Sequence, residues 1–219
     1  MSEVEVRLRE IQDRVLQATL QSGRPATAVR LIAVSKRQPN ERVTAAYEAG
    51  QRDFGENYVQ GLIDRRTLLP ADAILHLIGH VQTNKVKGAA QAHYVHTLDS
   101  ARLVEALAKV ASPGLRVLIE VNLAKEGQKA GVPAAEVEPL IDRIRATPLE
   151  LVGLMCIPPE GAGGQWFGQL ARLAEALRTK TGLPLPELSM GMSADFEEAI
   201  QAGATMVRVG TAIFGERQS

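Results

Sequence analysis

Apolar residues recur at helical spacing at Val4, Leu8, Ile11, Val15 and Ala18 with charged residues between them, and Gly23-Arg24-Pro25 closes the run. This predicts an opening amphipathic helix. Beyond it the period changes. Short β-type runs fall at residues 31–34, 51–54, 74–78, 94–98, 117–123, 149–155, 187–190 and 205–209. Helical stretches lie between them, among them 40–49, 101–110, 134–145, 165–179 and 195–202. Strand-then-helix alternation implies a parallel sheet with right-handed crossovers. Eight such units predict an α/β fold, a single (β/α)8 TIM-type barrel with an extra N-terminal helix, over residues 1–219. An open doubly wound sheet is the alternative. Side-chain alternation favours closure: in Val117-Leu118-Ile119-Glu120-Val121-Asn122-Leu123 the odd positions are apolar and the even ones include Glu120 and Asn122. By the same parity Val207 and Val209 face the helices and Arg208 points into the barrel near its carboxyl end, where active sites of this architecture lie.

Composition narrows the setting. The 219 residues are 45% hydrophobic and 23% charged, ordinary for a globular chain without a disorder signature. With 25 basic and 25 acidic residues the formal net charge is zero, so no global field gathers nucleic acid or anionic lipid. No leader-like or bilayer-length apolar run is present, and the one cysteine, Cys156, can form no intramolecular disulfide. The expectation is a cytoplasmic protein without nucleic-acid or membrane partners, a monomer or weak dimer.

Lys36 ends the apolar run Leu31-Ile32-Ala33-Val34-Ser35. An ammonium held against apolar walls is pushed towards the neutral amine, the form that attacks carbonyl carbon, so Lys36 is a candidate Schiff-base lysine. The alternative is that it snorkels into water. Two later stretches, Leu188-Ser189-Met190-Gly191-Met192-Ser193-Ala194-Asp195 and Val207-Arg208-Val209-Gly210-Thr211, pass from strand through glycine towards helix. Glycine admits a ligand close to the backbone, free amides bind anions, and the Ser193 and Thr211 hydroxyls add donors. After strands seven and eight of this barrel type such loops form phosphate sites. Taken singly, Ser193 could be a plain N-cap and Gly210 a plain turn. Arg208 could pair with Glu120, or it could face a ligand, where beside a pyridine nitrogen it would keep that nitrogen unprotonated. Lysine, phosphate cradle and arginine together describe a pyridoxal phosphate pocket.

The runs Leu31-Ile32-Ala33-Val34-Ser35-Lys36, Phe54-Gly55-Glu56-Asn57-Tyr58, His76-Leu77-Ile78-Gly79-His80-Val81-Gln82-Thr83-Asn84-Lys85, Gly153-Leu154-Met155 and Leu188-Ser189-Met190-Gly191-Met192-Ser193, with the closing run Ala202 to Gly215, resemble the pyridoxal phosphate homeostasis protein family, which is alanine-racemase N-terminal-domain-like. The resemblance runs nearly end to end. It implies a barrel with pyridoxal 5'-phosphate (PLP) bound as an aldimine to Lys36. Asn57 would flank the cofactor, Ser193, Gly210 and Thr211 would hold its phosphate, Arg208 would face the ring nitrogen, and Met155 and Met190 would be wall residues. PLP-dependent apo-enzymes would be possible recipients. Lys129-Ala130-Gly131, where many members have serine before the glycine, and the short glycine-rich loop after Ile157-Pro158-Pro159 depart from the pattern.

Other constellations fail on geometry. His76 and His80, four residues apart on a strand, would be about 13 Å from one another, too far to share an ion. His93 and His96 point to opposite faces, and Cys156, alternating with Met155, reads as an outward core thiol. No metal site is expected. Three functions compete: a carrier that stores, buffers or delivers PLP, an amino-acid racemase, and a phosphate-binding barrel without covalent chemistry. Racemisation needs a base on each face of the α-carbon, and of Tyr47, Tyr58 and Tyr94 only Tyr58 lies near a pocket motif, which favours the carrier.

Overall fold

The computed structural model describes residues 2–124, 130–159, 161 and 163–216. Lys125, Lys129, Glu160 and Ala162 therefore lie outside the described residues. The opening helix α1 spans Glu3–Gln21, its first turn capped by the Ser2 hydroxyl, which accepts from the Glu5 amide, and favoured by Glu3 and Glu5 near the positive helix end. Val4, Leu8, Ile11, Val15 and Ala18 are all buried, as their spacing requires.

Eight strands follow, β1 Arg30–Val34, β2 Asp53–Glu56, β3 Ile74–Leu77, β4 Tyr94–Leu98, β5 Arg116–Glu120, β6 Glu150–Met155, β7 Glu187–Ser189 and β8 Met206–Val209. The intervening helices are α2 Asn40–Glu48, α3 Val59–Leu68, α4 Val86–Ala89, α5 Ala101–Ala108, α6 Val137–Arg145, α7 Gly163–Thr181 and α8 Phe196–Gln201, and α9 Thr211–Phe214 follows β8. The strands pair in parallel in chain order and close on themselves, with Ile32 of β1 opposite Arg208 of β8. The predicted barrel is therefore closed, and the open sheet is excluded. Helix α1 packs on α2, α8 and α9, over the β8–β1 seam. Its Arg14 bonds Glu197, and Gln201 of α8 donates to the Ala18 carbonyl.

Alternation divides the core in two. Outward residues such as Ala33, Phe54, Val117, Ile119, Val207 and Val209 join the helices in one large apolar shell. Inward residues Ile32, Tyr94, Leu118, Val152, Met155 and Met206 fill the lumen. Threaded through that apolar filling are fully or nearly fully buried His76, His96, Ser189 and Arg208, and a buried polar group persists only where it is hydrogen-bonded. At the amino end Arg30 lies 3.5 Å from Asp53 and 3.7 Å from Glu187, and Arg30 and Arg116 each stand 5.2 Å from the centre of the Tyr94 ring. That end is occupied by structural charge, and free polar groups are to be sought at the other.

Candidate functional site

Lys36 lies immediately after β1, half-buried, at the barrel's carboxyl end. The turn that carries it is built by a side chain the sequence did not single out. Arg65 of α3, only 6% exposed, donates from Nη2 to the carbonyls of Ser35 (3.2 Å) and Gln38 (2.7 Å), from Nη1 to Asn40 Oδ1, and from Nε to Glu56 Oε1 at 3.1 Å. Ser35 donates its hydroxyl to the same Glu56 oxygen at 2.7 Å. Both carbonyls that bracket Lys36 and Arg37 are thus fixed from behind. The clamp holds Arg37 at φ +58°, a left-handed conformation uncommon for a residue with a side chain. Burial pushes the Glu56 carboxyl above its usual range, while Ser35 and Arg65 pull it back.

The turn after β8 abuts this strand end, since a Cβ placed on Gly210 would lie 3.4 Å from the Cβ and the carbonyl oxygen of Val34. Across from it, Ser193 Oγ accepts from the Gly210 amide and from the Thr211 hydroxyl, each at 3.4 Å. Ser193 is therefore no plain N-cap: the cap position of α8 is Asp195, and Ser193 faces the other loop. These long bonds converge an amide and two hydroxyls. The glycine that packing demands is Gly191, at φ +90°, where a Cβ would come within 2.6 Å of Ala199 Cβ and 3.0 Å of Phe196 Cα. At Gly210 a Cβ would make ordinary contact, so fold alone does not require glycine there.

Arg208 is buried inside the lumen, as strand parity predicts, yet it forms no ion pair with Glu120. Its Nη1 donates to Ser189 Oγ at 2.7 Å and its Nη2 to the Cys156 carbonyl at 3.0 Å. Glu120 is left 5% exposed, with Oε2 lacking a hydrogen-bond partner among the described residues. Its carboxyl is pushed up to about 7, by burial first and by Asp99 second, against the pull of Arg208 and His80. Because the folded value lies above the unfolded one, the folded chain holds an extra proton between them, and Glu120 costs stability as pH rises from about 4.5 through 7. Glu120→Gln is expected to be more stable than the parent at pH 8, by roughly 3 kcal/mol, and equally stable at pH 4. Denaturant unfolding at the two pH values measures the difference.

Two further residues flank this end. Asn57, directly after β2, has a buried Oδ1 without a partner among the described residues. Its backbone is met closely by the loop after β3, where a Cβ on Gly79 would lie 2.2 Å from the Asn57 carbonyl oxygen, which accounts for the glycine in the Leu77-Ile78-Gly79-His80 run. Glu120 and Cys156 also line a cavity of about 250 Å³ beside the lumen, with Asn122, Pro158 and Trp166. Met155 is fully buried among the lumen side chains, as a wall residue would be. Met190 is not: it packs into the outer shell with Leu188, because Ser189 between them faces the lumen and the side chains alternate.

The remaining histidines and the cysteine fall where spacing places them, with one addition. His93 accepts from the Leu75 amide outside the lumen, and exposed His80 pairs with Asp99 at 3.0 Å. His96, however, meets His76 across the lumen at 3.0 Å, a contact between strands that no spacing along one strand reveals. Among the described residues no group of three His, Cys, Asp or Glu side chains is placed to hold a metal. Cys156 belongs to the outer shell, and burial pushes its thiol up to about 12, which removes it as a nucleophile at neutral pH.

A closed parallel barrel with a half-buried lysine after β1, converging donors after β7 and β8, and a lumen arginine below them defines an alanine-racemase-type barrel. The alanine racemase N-terminal domain family matches residues 6–218. The chain is 41% identical to the pyridoxal phosphate homeostasis protein of Bos taurus over 234 residues, covering 96% of this chain and 86% of that one. It is 39% identical to the pyridoxal phosphate homeostasis protein of Escherichia coli K12 over 230 residues, covering 99% and 98%. The structure of PipY from Synechococcus elongatus PCC7942, solved with PLP bound, superposes with a TM-score of 0.83 at 35% identity, covering 97% of this chain and all of that one. The chain belongs to the pyridoxal phosphate homeostasis protein family.

Proposed function

We propose that the protein, as one unit over residues 1–219, binds PLP covalently through Lys36 and serves to store, buffer or deliver it in the cytoplasm. The observation that carries this reading is the meeting, at one barrel end, of Lys36, the Ser193–Gly210–Thr211 donors and Arg208. PLP-dependent apo-enzymes are the recipients it suggests. No helix among the described residues is long and apolar enough to cross a membrane.

The residues present fit such a group. Donors for a dianion converge after β7 and β8, an unpartnered amide oxygen waits on Asn57, and a cationic donor stands in the lumen. When bound, the cofactor supplies an aldehyde that condenses with amines. The chain's own residues would do the rest. Arg65 and Glu56 hold the Lys36 turn so that its amine is presented from one position. The Gly210 amide and the Ser193 and Thr211 hydroxyls would donate to the phosphate, Asn57 would lie beside the ring, and Met155 would close the lumen below. Arg208, always cationic, can only donate, so it would leave a ring nitrogen unprotonated.

That last property, with the tyrosines, favours a carrier over the racemase. Tyr47 is bonded to Asp72, Tyr94 lies between two arginines at the barrel's amino end, and Tyr58 is 55% exposed with Arg37 5.8 Å from its ring centre. None is held as a second base. Stereospecific α-proton exchange of natural amino acids is expected to be negligible, well under an ordinary turnover of about 1 per second. Proton exchange followed by NMR checks it, and turnover at that rate would establish the racemase. The binding reading itself is tested by adding PLP, following visible absorption, reducing with borohydride and mapping the modified lysine by mass. An adduct on Lys36 is expected, and no adduct at all would leave only the non-covalent phosphate-binding barrel.

A further inference from the structure

Four hydrogen bonds cross the lumen in one line. Arg208 Nη1 lies 2.7 Å from Ser189 Oγ, Ser189 Oγ 2.9 Å from His96 Nδ1, His96 Nε2 3.0 Å from His76 Nδ1, and His76 Nε2 2.9 Å from Asp53 Oδ1. The line runs from the site at the carboxyl end to the charged layer at the amino end. None of Ser189, His96, His76 and Asp53 is absorbed by the proposed function.

The chemistry of the groups fixes the direction of every bond. An ionised carboxylate only accepts, so His76 must carry its proton on Nε2. A neutral imidazole has one proton, which leaves His76 Nδ1 an acceptor and makes His96 Nε2 the donor. His96 Nδ1 is then an acceptor in turn, and the one proton of the Ser189 hydroxyl is committed to it. What Ser189 offers Arg208 is a lone pair, and a guanidinium can only donate. Both ends of the line agree on the same assignment. Both rings are fully buried, and burial, with the Arg208 and Arg30 charges, depresses the basicity of His96, as burial does that of His76. The Tyr94 ring stacks on His76 at 4.6 Å and 9°, which fixes its plane.

We propose that Ser189, His96, His76 and Asp53 are positioning residues for Arg208, a one-directional relay that holds the guanidinium in a single orientation against the ring nitrogen of the bound cofactor. This rests on the PLP reading given above. With Nη1 held by Ser189 and Nη2 by the Cys156 carbonyl, the planar fork is pinned at two corners. Its charge is met by an oriented lone pair and a carbonyl, so it stays in the lumen without the neutralising Glu120 contact. A hydroxyl free to turn would present its own proton to Arg208 part of the time, and the pin would loosen.

The test has two parts. In the unmodified protein without added PLP, 15N NMR of the imidazoles is expected to show both His76 and His96 as Nε2–H tautomers; either ring found as Nδ1–H overturns the relay. With 15N-labelled PLP, Ser189→Ala and His96→Leu are expected to weaken binding about tenfold or more and to shift the ring-nitrogen resonance towards its protonated position. His96→Asn, whose Oδ1 can accept the Ser189 proton in place of Nδ1, is expected to keep the parent's resonance. Parent-like affinity and resonance in both Ser189→Ala and His96→Leu overturn the proposal. If either variant fails to fold, the tautomers of the unmodified protein still decide it. Failure of the unmodified protein to yield a Lys36 adduct would instead overturn the PLP reading, and is seen separately from the tautomer result.

Discussion

Lys36→Ala is expected to abolish covalent retention of PLP and to leave the barrel folded. The amine is the only group of residue 36 that the binding reading uses, and removing it leaves no carbon–nitrogen bond to form at that position. The turn is held from behind by other residues. Its shape is set by Arg65 through the Ser35 and Gln38 carbonyls, and by Ser35 through Glu56, and none of these contacts involves the residue 36 side chain. Residues 31–35, the apolar strand end and Ser35, are all buried. Visible absorption on addition of PLP, mass after borohydride reduction, and thermal unfolding measure the three parts of the claim. A borohydride-trapped adduct on Lys85, Lys125 or Lys129, in the parent or in the variant, with Lys36 unmodified, would show that the lysine was wrongly chosen.

The strand that carries Lys36 was legible because its apolar run is uninterrupted and ends abruptly in Ser-Lys. The second strand was less so. The run 51–54 suggests a strand two residues too early, because Gln51 is buried by other means: its side-chain amide donates to the carbonyls of Leu31 and Asp53, filling a gap before β2 begins. Past Glu120 the alternation of the fifth run continues while the strand does not, since Val121, whose amide still donates to the Met155 carbonyl of β6, also bridges to Val132, and the chain turns there towards that segment. Helix α3 carries a weak apolar pattern for an informative reason. Arg65 sits at a core position of that helix, so the residue that clamps the lysine turn is also the one that breaks the apolar period.

Parity along single strands carried the site a long way. It put Arg208 and Glu120 inside and Cys156 outside, all as found. Parity says which face a residue takes, though, and not which neighbour it meets across the sheet. The obvious charge partner for Arg208 was Glu120, whereas the lumen supplies Ser189 at 2.7 Å and leaves a carboxylate oxygen of Glu120 unpartnered among the described residues. His76 and His96 sit on consecutive strands twenty positions apart, and only the register of β3 on β4, with His76 opposite Tyr94, sets their rings in contact. Met190 as a wall residue conflicts with parity itself, because Ser189 takes the lumen face and leaves Leu188 and Met190 on the outer one.

Pyridoxal, which has the same aldehyde as PLP and no phosphate, is expected to bind a hundredfold or more weakly. The Gly210 amide and the Ser193 and Thr211 hydroxyls now spend themselves on one another through bonds of 3.4 Å, at the long limit for an N–H or O–H donor. Exchanging such contacts for short, charge-assisted bonds to a dianion favours the phosphate. At about 1.5–3 kcal/mol for each bond to a charged group, two lost bonds amount to roughly 3–6 kcal/mol, or a factor of a hundred upwards. The residue that isolates this effect is Gly210. Since a Cβ there would only touch Val34 at 3.4 Å, Gly210→Ala should fold normally, and Gly210→Val should add bulk where the ligand approaches. Gly191 would not serve, because its φ of +90° and the 2.6 Å approach to Ala199 Cβ would confuse loss of binding with loss of fold. Titrating both ligands into the parent, Gly210→Ala, Gly210→Val and Ser193→Ala, with unfolding followed in parallel, separates the two. The variants are expected to lose PLP affinity and to leave the weak binding of pyridoxal nearly unchanged, whereas equal affinities for the two ligands in the parent would mean that the turns after β7 and β8 are structural and that the phosphate is held elsewhere.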